Sequence, residues 1–229
     1  RPSPWLYFVY EHYLSVMCMK YRISVIMGIY NCAPTLREAF DSMLAQTYKG
    51  FKVIMCDDGS KDDTYAIAKE YANKYENFIV IKNKYNMKLA ATLNHCIEYV
   101  DTEFIARMDG DDISVPNRFE TLINFLDAHP EYAFVSSAMT HFDENGDWKV
   151  TRKEPEPTIN SFKRTSPFCH APVLMRTEAL RAIGNYTAEP KVERMEDYYL
   201  WHKFYCAGYK GYNLQDPLYK MRDDKNATI

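Results

Sequence analysis

The sequence predicts an α/β fold, built on a largely parallel, Rossmann-like central sheet flanked by helices, and three observations lead to this prediction. Short apolar runs alternate with segments of helical periodicity from Arg22 to His129. Two of these runs pass directly into acidic turns, CDDGS and MDGDD, at the strand ends where open α/β sheets collect ligands. After His129 the alternation gives way to shorter mixed elements, which predicts a more irregular C-terminal region.

The first two strand–helix units follow from apolar spacing. ISVIMGIY, which starts at Ile23, predicts a buried strand, and Pro34 then opens a helix. The apolar residues that recur at helical spacing in it are Leu36, Phe40, Met43 and Leu44. FKVIMCD, which starts at Phe51, predicts the second strand. The helix after it is predicted to begin at SKDD, where Ser60 and Asp63 have the spacing of a capping box.

Two more units complete the alternating half of the chain. FIVIKN predicts the third strand, and LAATLNHCIEYV predicts the helix that follows it. The fourth strand, FIARM, carries the DGDD cluster at its carboxyl end. Ser114 and Pro116 then introduce the helix RFETLINFLDAH. Beyond this helix, YAFVSSAMTHFD and WKVTRK predict strands on either side of the turn ENGD.

Composition excludes several classes of protein. A hydrophobic content of 47%, a charged content of 26% and a net charge of -3 are typical of a globular domain and give no nucleic-acid footprint. No segment approaches the roughly 20 apolar residues that a membrane-spanning helix requires. Six cysteines without a CxxC pair or a signal peptide predict reduced thiols in the cytoplasm.

The aromatic-rich stretch RPSPWLYFVYEHYLSVMCMK differs in texture from the rest of the chain. We expect residues 1–20 to form an N-terminal extension, and residues 21–229 to form one domain. The extension is predicted to be an accessory helix that packs on the core, a partner or a membrane surface. The alternative is that it lies upstream of a natural start at Met19.

The MDGDD turn crowds three carboxylates, those of Asp109, Asp111 and Asp112. Neighbouring carboxylates raise one another's pKa, so the cluster predicts a bound cation. Asp109 and Asp111 are separated by one residue and project to the same side of an extended backbone, so they can share a ligand. An EF-hand loop does not fit, because Ile113 stands at the third ligand position and Ser114 at the turn glycine. A solvated acidic turn is the remaining alternative.

Six motifs occur in an order and spacing that resemble family 2 glycosyltransferases with the GT-A fold. They are ISVIMGIYN, LAQTY, CDDGSKDDT, MDGDDISVPNR, PFCHAPVLMR and MEDYYLWHKF, and the resemblance covers residues 22 to 222. It implies transfer of a sugar from a nucleotide diphosphate sugar, UDP-linked by expectation, to an acceptor hydroxyl with inversion, assisted by Mn²⁺ or Mg²⁺. It also implies a nucleotide-sugar-binding half, residues 21–115, and an acceptor-binding half, residues 116–229.

The resemblance assigns the nucleobase contact to Asp58, whose carboxylate would accept a hydrogen bond from an NH group of a uracil-type base. Gly28 and Tyr30 would form the wall around that base. The alternative for Asp57 and Asp58 is that they cap the next helix.

The resemblance also assigns the sugar-phosphate end of the donor. Lys88 and Asn94 fall in the donor-binding helix region, although Asn86 to Lys88 replace the family's glycine-rich approach to that helix. Asp109 would contact the ribose or the metal, and Asp111 would ligate the metal directly.

By the same resemblance, Asp197 is the catalytic general base and Glu196 orients the acceptor. Two acids in a first helical turn also complement the helix macrodipole, which is the alternative. His170 would border the donor sugar or diphosphate, and Arg222 or Lys220 would reach phosphate. Trp201 would form a floor for the acceptor sugar, together with Tyr198 and Tyr199. Structural hydrogen bonding, surface charge and core packing are the corresponding alternatives.

Relatives of this type build bacterial cell-envelope polysaccharides, which implies a saccharide or lipid-linked saccharide acceptor and peripheral association with the inner face of the cytoplasmic membrane. Three other classes of protein are alternatives. A sugar-1-phosphate nucleotidyltransferase should show a glycine- and arginine-rich loop where this chain has GIYNCAPT. An aspartyl-phosphate phosphatase needs its acids after the first strand, which is acid-free. A sugar-nucleotide-binding module without activity would not need the metal and base acids that are present.

Overall fold

Within residues 20–163 and 165–223, which are the residues that the computed structural model describes, the chain forms nine strands, six α-helices and two short 3-10 helices. The strands are β1 (Ile23–Ile29), β2 (Phe51–Asp57), β3 (Phe78–Lys82), β4 (Phe104–Arg107), β5 (Ile113–Ser114), β6 (Phe134–Asp143), β7 (Gly146–Thr151), β8 (Leu174–Arg176) and β9 (Gly211–Arg222). The α-helices are α1 (Ala33–Leu44), α2 (Thr64–Lys74), α3 (Leu89–Ile97), α4 (Arg118–Ala128), α5 (Thr177–Ala182) and α6 (Glu196–Cys206). The 3-10 helices are Ile159–Lys163 and Pro190–Val192. Residues 1–19 of the predicted extension lie outside the described residues.

The strands form a single sheet in the order β3-β2-β1-β4-β8-β6-β9-β5, with β7 paired to β6. Strands β3, β2, β1 and β4 are parallel, as are β6 and β9. Strand β8 joins the two groups by antiparallel pairing with β4 and β6. The predicted α/β class is therefore confirmed. The region predicted to be irregular supplies four strands to the same sheet, because β8 pairs with the parallel half.

Both faces of the central strands are buried, which explains why their sequences are nearly continuous apolar runs. On β1, Val25 and Met27 belong to one core cluster, and Ile26 between them belongs to the other. The first cluster packs against α1, α2 and α4, and the second packs against α3, α5 and α6. Among the described helices, none is long and apolar enough to cross a bilayer. With helices on both faces, the carboxyl ends of the parallel strands are left open at one edge.

The predicted capping box before α2 is wrong. The Ser60 hydroxyl accepts a hydrogen bond from the Asn31 amide at 3.0 Å, so it is used in the turn after β1. Helix α2 begins at Thr64 without a side-chain cap on its Asp63 N-cap residue. Asp62 Oδ1 instead accepts the Thr64 amide at 3.1 Å. The Ser60 hydroxyl therefore makes a tertiary contact with the turn after β1 instead of the helix cap that the local spacing predicted.

Candidate active site

The two acidic turns meet at the carboxyl end of β1. The Asp58 amide donates to the Ile29 carbonyl at 2.9 Å, and the Thr35 hydroxyl donates to the Gly110 carbonyl at 3.0 Å. A Cβ atom on Gly110 would lie 2.6 Å from Cys32 Sγ, so only glycine permits this close approach. The structure thus brings both predicted ligand-binding turns to one edge of the sheet.

Asp58 is buried, and its carboxylate holds the loop that leads into α3. Its Oδ1 accepts hydrogen bonds from Asn83 Nδ2 at 2.8 Å and from the Met87 amide at 2.7 Å, and its Oδ2 accepts from the Lys88 amide at 3.0 Å. A carboxylate offers about four acceptor positions, so about one remains for a ligand. Asp58 therefore does not cap α2, which was the alternative interpretation of the acidic pair. Tyr30 follows Ile29, whose carbonyl accepts the Asp58 amide, and 44% of the Tyr30 surface is exposed.

Gly28 and Lys88 position α3 relative to β1. A Cβ atom on Gly28 would lie 3.3 Å from the side chains of both Leu89 and Thr92, so glycine allows α3 to pack closely. Lys88 has φ 71° and ψ 164°, a conformation that only glycine adopts without strain. The Lys88 side chain is exposed, and its Nζ lies 3.5 Å from a Glu193 carboxylate oxygen.

The three carboxylates of the MDGDD turn have different surroundings. Asp109 Oδ1 accepts from Arg107 Nη2 at 2.5 Å, and Asp112 Oδ1 accepts the Arg222 amide at 2.8 Å. Asp111 is open to solvent on one side, and partial burial together with the charge of Asp109 raises its pKa. Burial, together with the charges of Asp109 and Asp111, raises the pKa of Asp112 to about 7. Arg107 thus holds Asp109 and the Arg222 amide holds Asp112, while Asp111 remains open to solvent.

Two buried arginines, which the sequence motifs did not single out, lie beneath this turn. Arg107 and Arg118 are both buried, and Arg118 donates from Nη2 to the carbonyls of Arg107 at 2.6 Å and Ala171 at 3.0 Å. Burial lowers the pKa of Arg118 to about 10. The signal was present in the sequence, since FIAR places an arginine inside an otherwise apolar strand. These cations offset part of the negative charge from inside the protein.

The end of β9 closes the site on the other side of the turn. The Asp109 amide donates to the Tyr219 hydroxyl at 3.1 Å, and Arg222 Nε donates to the Asp111 carbonyl at 2.9 Å. The Arg222 guanidinium also pairs with Glu38. Lys220 pairs with Asp147 at 2.6 Å. Both basic residues are already paired, so a phosphate contact by Arg222 would require its ion pair to break.

The residues present fit a divalent cation that is only partly held by protein. No group of three or more histidine, cysteine or acidic side chains arranged for a metal occurs in the part of the chain that the structure describes. Asp111 and Asp109 supply hard oxygen donors, as Mg²⁺ and Mn²⁺ prefer. The raised pKa of Asp111 shows a carboxylate that nearby positive charge would stabilise. Phosphate oxygens of a donor would have to complete the ligand set.

Glu196 and Asp197 begin helix α6, as predicted, and no side chain caps that helix. Burial raises the pKa of Tyr186, and the charges of Asp197 and Asp109 act in the same direction. Tyr186 therefore lies within electrostatic reach of both the predicted base and the MDGDD turn. A cleft of about 290 Å³ lies between the start of α3 and the start of α6, lined by Lys88 and Glu196 among others. The structure places these predicted donor-side and acceptor-side residues on one cleft.

Asn94 is not free for a donor, because its side chain holds the main chain of Tyr186. Asn94 Nδ2 donates to the Tyr186 carbonyl at 2.9 Å, and the Tyr186 amide donates to Asn94 Oδ1 at 3.0 Å. His170 Nε2 lies 2.8 Å from the Tyr186 hydroxyl. Burial and the charge of Arg107 hold the pKa of His170 well below its usual range, so this imidazole is neutral.

The prediction that Trp201 forms an acceptor floor is wrong. Trp201 is fully buried and stacks on Phe134, with ring centroids 4.8 Å apart. On this helix, its position faces the sheet, so it is a core residue. Tyr198 is half-buried and donates from its hydroxyl to the Phe162 carbonyl at 2.9 Å. Tyr199 alone of the three aromatic residues is exposed, at 37%.

Comparisons with known proteins extend over most of the chain. The sequence model of the family described as Glycosyl transferase family 2 matches residues 24–184. EpsE of Bacillus subtilis (strain 168), whose glycosyltransferase name is provisional, is 46% identical over 209 residues, which are 90% of this chain and 74% of EpsE. WfaP of Escherichia coli, a UDP-Glc:alpha-D-GlcNAc-diphosphoundecaprenol beta-1,3-glucosyltransferase, is 29% identical over 202 residues, which are 87% of this chain and 77% of WfaP.

Solved structures share the fold at low sequence identity. S. aureus TarS 1-349 in complex with UDP has a TM-score of 0.72 and 22% identity, covering 89% of this chain and 61% of the TarS chain. The mannosyltransferase PcManGT from Pyrobaculum calidifontis, in complex with GDP-Man and Mn²⁺, has a TM-score of 0.70 and 19% identity, covering 90% of this chain and 58% of its own. The chain therefore spans about three fifths of each solved chain. The likeness supports the α/β class reached from the sheet topology.

Proposed function

The chain belongs to glycosyl transferase family 2 and is a glycosyltransferase, and from that premise we propose that it transfers a sugar, with inversion, from a UDP-sugar to a hydroxyl group. The acceptor in this proposal is a saccharide or a lipid-linked saccharide of a cell-envelope polysaccharide. One observation carries the proposal: Asp58, the MDGDD turn and the start of α6 lie around one edge of the sheet. The three groups match the base, diphosphate and acceptor ends of such a reaction.

The remaining acceptor position on Asp58 supports a uracil-type base. Uracil presents an imide NH group that can donate a hydrogen bond to a carboxylate, and the negative charge of Asp58 strengthens such a hydrogen bond. The amides of Met87 and Lys88 fix the orientation of this carboxylate before any ligand arrives. Tyr30 is exposed and could cover the face of the base. The UDP in the TarS structure and in the name of WfaP supports the choice of nucleotide.

A divalent cation at Asp111, with Asp109 beside it, would supply positive charge for the departing diphosphate. The Mn²⁺ in the PcManGT structure supports such an ion in this fold. The protein's own contribution is to anchor the MDGDD turn to strand β9. Arg222 holds it through the Asp111 carbonyl and Asp112, and Tyr219 holds it through the Asp109 amide.

Inversion requires a base on the acceptor side of the sugar, opposite the leaving group. Asp197 stands in the first turn of α6 and is half-exposed, so it can meet a hydroxyl from solvent. It would take the proton of that hydroxyl as the hydroxyl oxygen attacks the anomeric carbon. Glu196 lines the cleft next to it and would orient the acceptor.

The diphosphoundecaprenol in the name of WfaP supports a lipid-linked acceptor. Such an acceptor would bring the enzyme to the inner face of the cytoplasmic membrane as a peripheral protein. In this proposal, residues 21–115 bind the nucleotide sugar and residues 116–229 bind the acceptor.

The direct test is release of UDP from a panel of UDP-sugars in Mn²⁺, with and without saccharide acceptors. We expect slow hydrolysis of one donor, faster turnover with a matching acceptor, and loss of both with EDTA. A protein that binds UDP but never releases it from a sugar would be a binding module, which would contradict the proposal. Asp197→Asn separates the two outcomes, because it should retain UDP binding while losing turnover.

A further inference from the structure

Asn83 links the carboxylate of Asp58 to helix α3, and both polar atoms of its side-chain amide are hydrogen-bonded. Asn83 is 3% exposed and directly follows β3. Its Nδ2 donates to Asp58 Oδ1 at 2.8 Å and to Thr92 Oγ1 at 2.9 Å. Its Oδ1 lies 2.7 Å from Nδ1 of His95, which belongs to α3, as Thr92 does. The main chain of Asn83 is also fixed, because its amide donates to the Asp57 carbonyl at 2.8 Å.

The contacts of Asp58 determine how the Asn83 amide is oriented and which nitrogen of His95 carries a proton. Asp58 Oδ1 also accepts the Met87 amide at 2.7 Å, so this oxygen acts as an acceptor and the nitrogen of the Asn83 amide must face it. The Asn83 oxygen then faces His95, which must donate from Nδ1. The reverse orientation of the amide would bring the Asn83 oxygen against Asp58 Oδ1 without a hydrogen between them. His95 therefore donates to Asn83, which in turn donates to Asp58.

We propose that His95 is a positioning residue for the nucleobase, and that it acts through Asn83 to hold the Asp58 carboxylate in the orientation that meets a base NH group. This inference rests on the proposed function and deepens it. The amides of Met87 and Lys88 hold Asp58 from the loop before α3, and Asn83 holds it from the end of β3. These three donors leave about one acceptor position on the carboxylate. Loss of the His95 hydrogen bond frees the Asn83 amide to turn, and the remaining acceptor position is then less well aligned with the base.

The test compares two variants of His95 that have nearly the same side-chain size and differ in hydrogen bonding. The side chain of His95→Asn keeps a donor nitrogen at about the place of Nδ1, whereas that of His95→Leu has no donor. Calorimetry of each folded full chain measures the affinity for UDP and for CDP. CDP has the same ribose and diphosphate, but its cytosine ring has no NH group at the position of the uracil imide.

The parent protein should bind UDP more tightly than CDP. His95→Leu should weaken UDP binding about fivefold, which corresponds to one hydrogen bond of ordinary strength, and should weaken CDP binding less than about twofold. His95→Asn should keep the UDP affinity within about twofold of the parental value. A merely structural role for His95 would lower the melting temperature in both variants and change the UDP and CDP affinities by the same factor. That pattern, or an unchanged UDP affinity in His95→Leu, would overturn the inference.

A measurement on the parent protein decides the matter if His95→Leu does not fold. NMR of isotope-labelled histidine side chains, with His95 assigned by its absence from the His95→Asn spectrum, should show the neutral His95 ring with its proton on Nδ1. A proton on Nε2 alone would mean that the Asn83 amide is reversed, and the inference would fail while the proposed function stands. Equal affinity of the parent protein for UDP and CDP would refute the Asp58 base contact, and both the inference and the proposed choice of a UDP-sugar would fail.

Discussion

Lys88 stores backbone strain at the edge of the proposed nucleotide site, and two substitutions at this position can measure it. Its φ of 71° and ψ of 164° belong to a region that costs about 1–3 kcal/mol for a residue other than glycine. Lys88→Gly removes this strain, but glycine gains entropy in the unfolded chain, which costs about 0.5–1 kcal/mol. Lys88→Ala keeps the strain. Both variants lose the exposed pair with Glu193, worth about 0–1 kcal/mol.

The difference in stability between the two variants is therefore the strain at Lys88 minus the entropic cost of glycine. We expect Lys88→Gly to be more stable than Lys88→Ala by about 1 kcal/mol, or about 2–4 °C in melting temperature for a chain of this size. Urea unfolding and thermal melts give both numbers. If the Lys88 ammonium also contacts the donor, the two variants should lose the same amount of UDP affinity. If Lys88→Gly is instead less stable than Lys88→Ala by the full entropic cost of about 0.5–1 kcal/mol, the Asp58 and Asn86 contacts to the Lys88 amide do not hold a strained backbone.

Three further predictions follow from buried polar and aromatic groups. Asp58→Asn should raise the donor KM more than it lowers kcat. It should also destabilise the protein by about 1–3 kcal/mol, because an amide NH₂ would face a backbone NH. Asp57→Asn is the matched control, and an unchanged KM in Asp58→Asn would refute the base contact. Asp112 has a pKa of about 7 when folded and an ordinary value near 3.9 when unfolded, so between these values the folded state binds more protons and stability falls as pH rises. In urea unfolding without metal, the free energy of unfolding of the parent protein should fall by on the order of 1 kcal/mol or more from pH 5 to pH 7, and that of Asp112→Asn should fall less. The same dependence of this free energy on pH in both proteins would count against the raised pKa. Trp201→Phe should cost about 1–2 kcal/mol of stability and leave the acceptor KM unchanged, whereas a changed KM with unchanged stability would return Trp201 to the acceptor site.

Local periodicity was sufficient to predict the alternating elements. The buried residues of α1 include Leu36, Phe40 and Met43, as their helical spacing indicates. Their burial follows from the helical spacing of apolar residues within one segment, so the sequence of that segment is sufficient to predict it. Ser60 could not be placed in the same way, because the Asn31 amide that it accepts from lies 29 residues earlier in the chain. Contacts of this kind depend on how the turns after β1 and β2 meet.

The acidic turn shows the same limit at the candidate site. Three clustered carboxylates predicted a bound metal cation, but the prediction did not consider cationic side chains of the protein itself. Arg107 and Arg118 already place two buried guanidinium groups beneath the turn, so part of the charge is offset within the protein. The strand sequence FIAR contains the signal, but alternation alone does not show that the Arg107 side chain is buried and directed at Asp109.

Trp201 illustrates the corresponding limit for aromatic residues on a helix. Tyr199 and Trp201 are two positions apart on α6, and one is exposed while the other is fully buried. Which of them meets the sheet depends on the rotation of α6 about its own axis. That rotation is fixed by packing on Phe134 and Phe168, which belong to distant segments.

Transfer kinetics of Asp197→Asn, measured with UDP affinity and thermal stability on the same preparation, test the proposed reaction most directly. A general base acts in the transition state, so turnover should fall by about a hundredfold or more while UDP affinity stays at the parental value. Glu196→Gln, the neighbouring acid on the same helical turn, serves as the control and should mainly raise the acceptor KM. If Asp197 only complements the helix macrodipole, the variant would lose about 0.3–1 kcal/mol of stability and transfer sugar at the parental rate, and that result would contradict the assignment of Asp197 as the base.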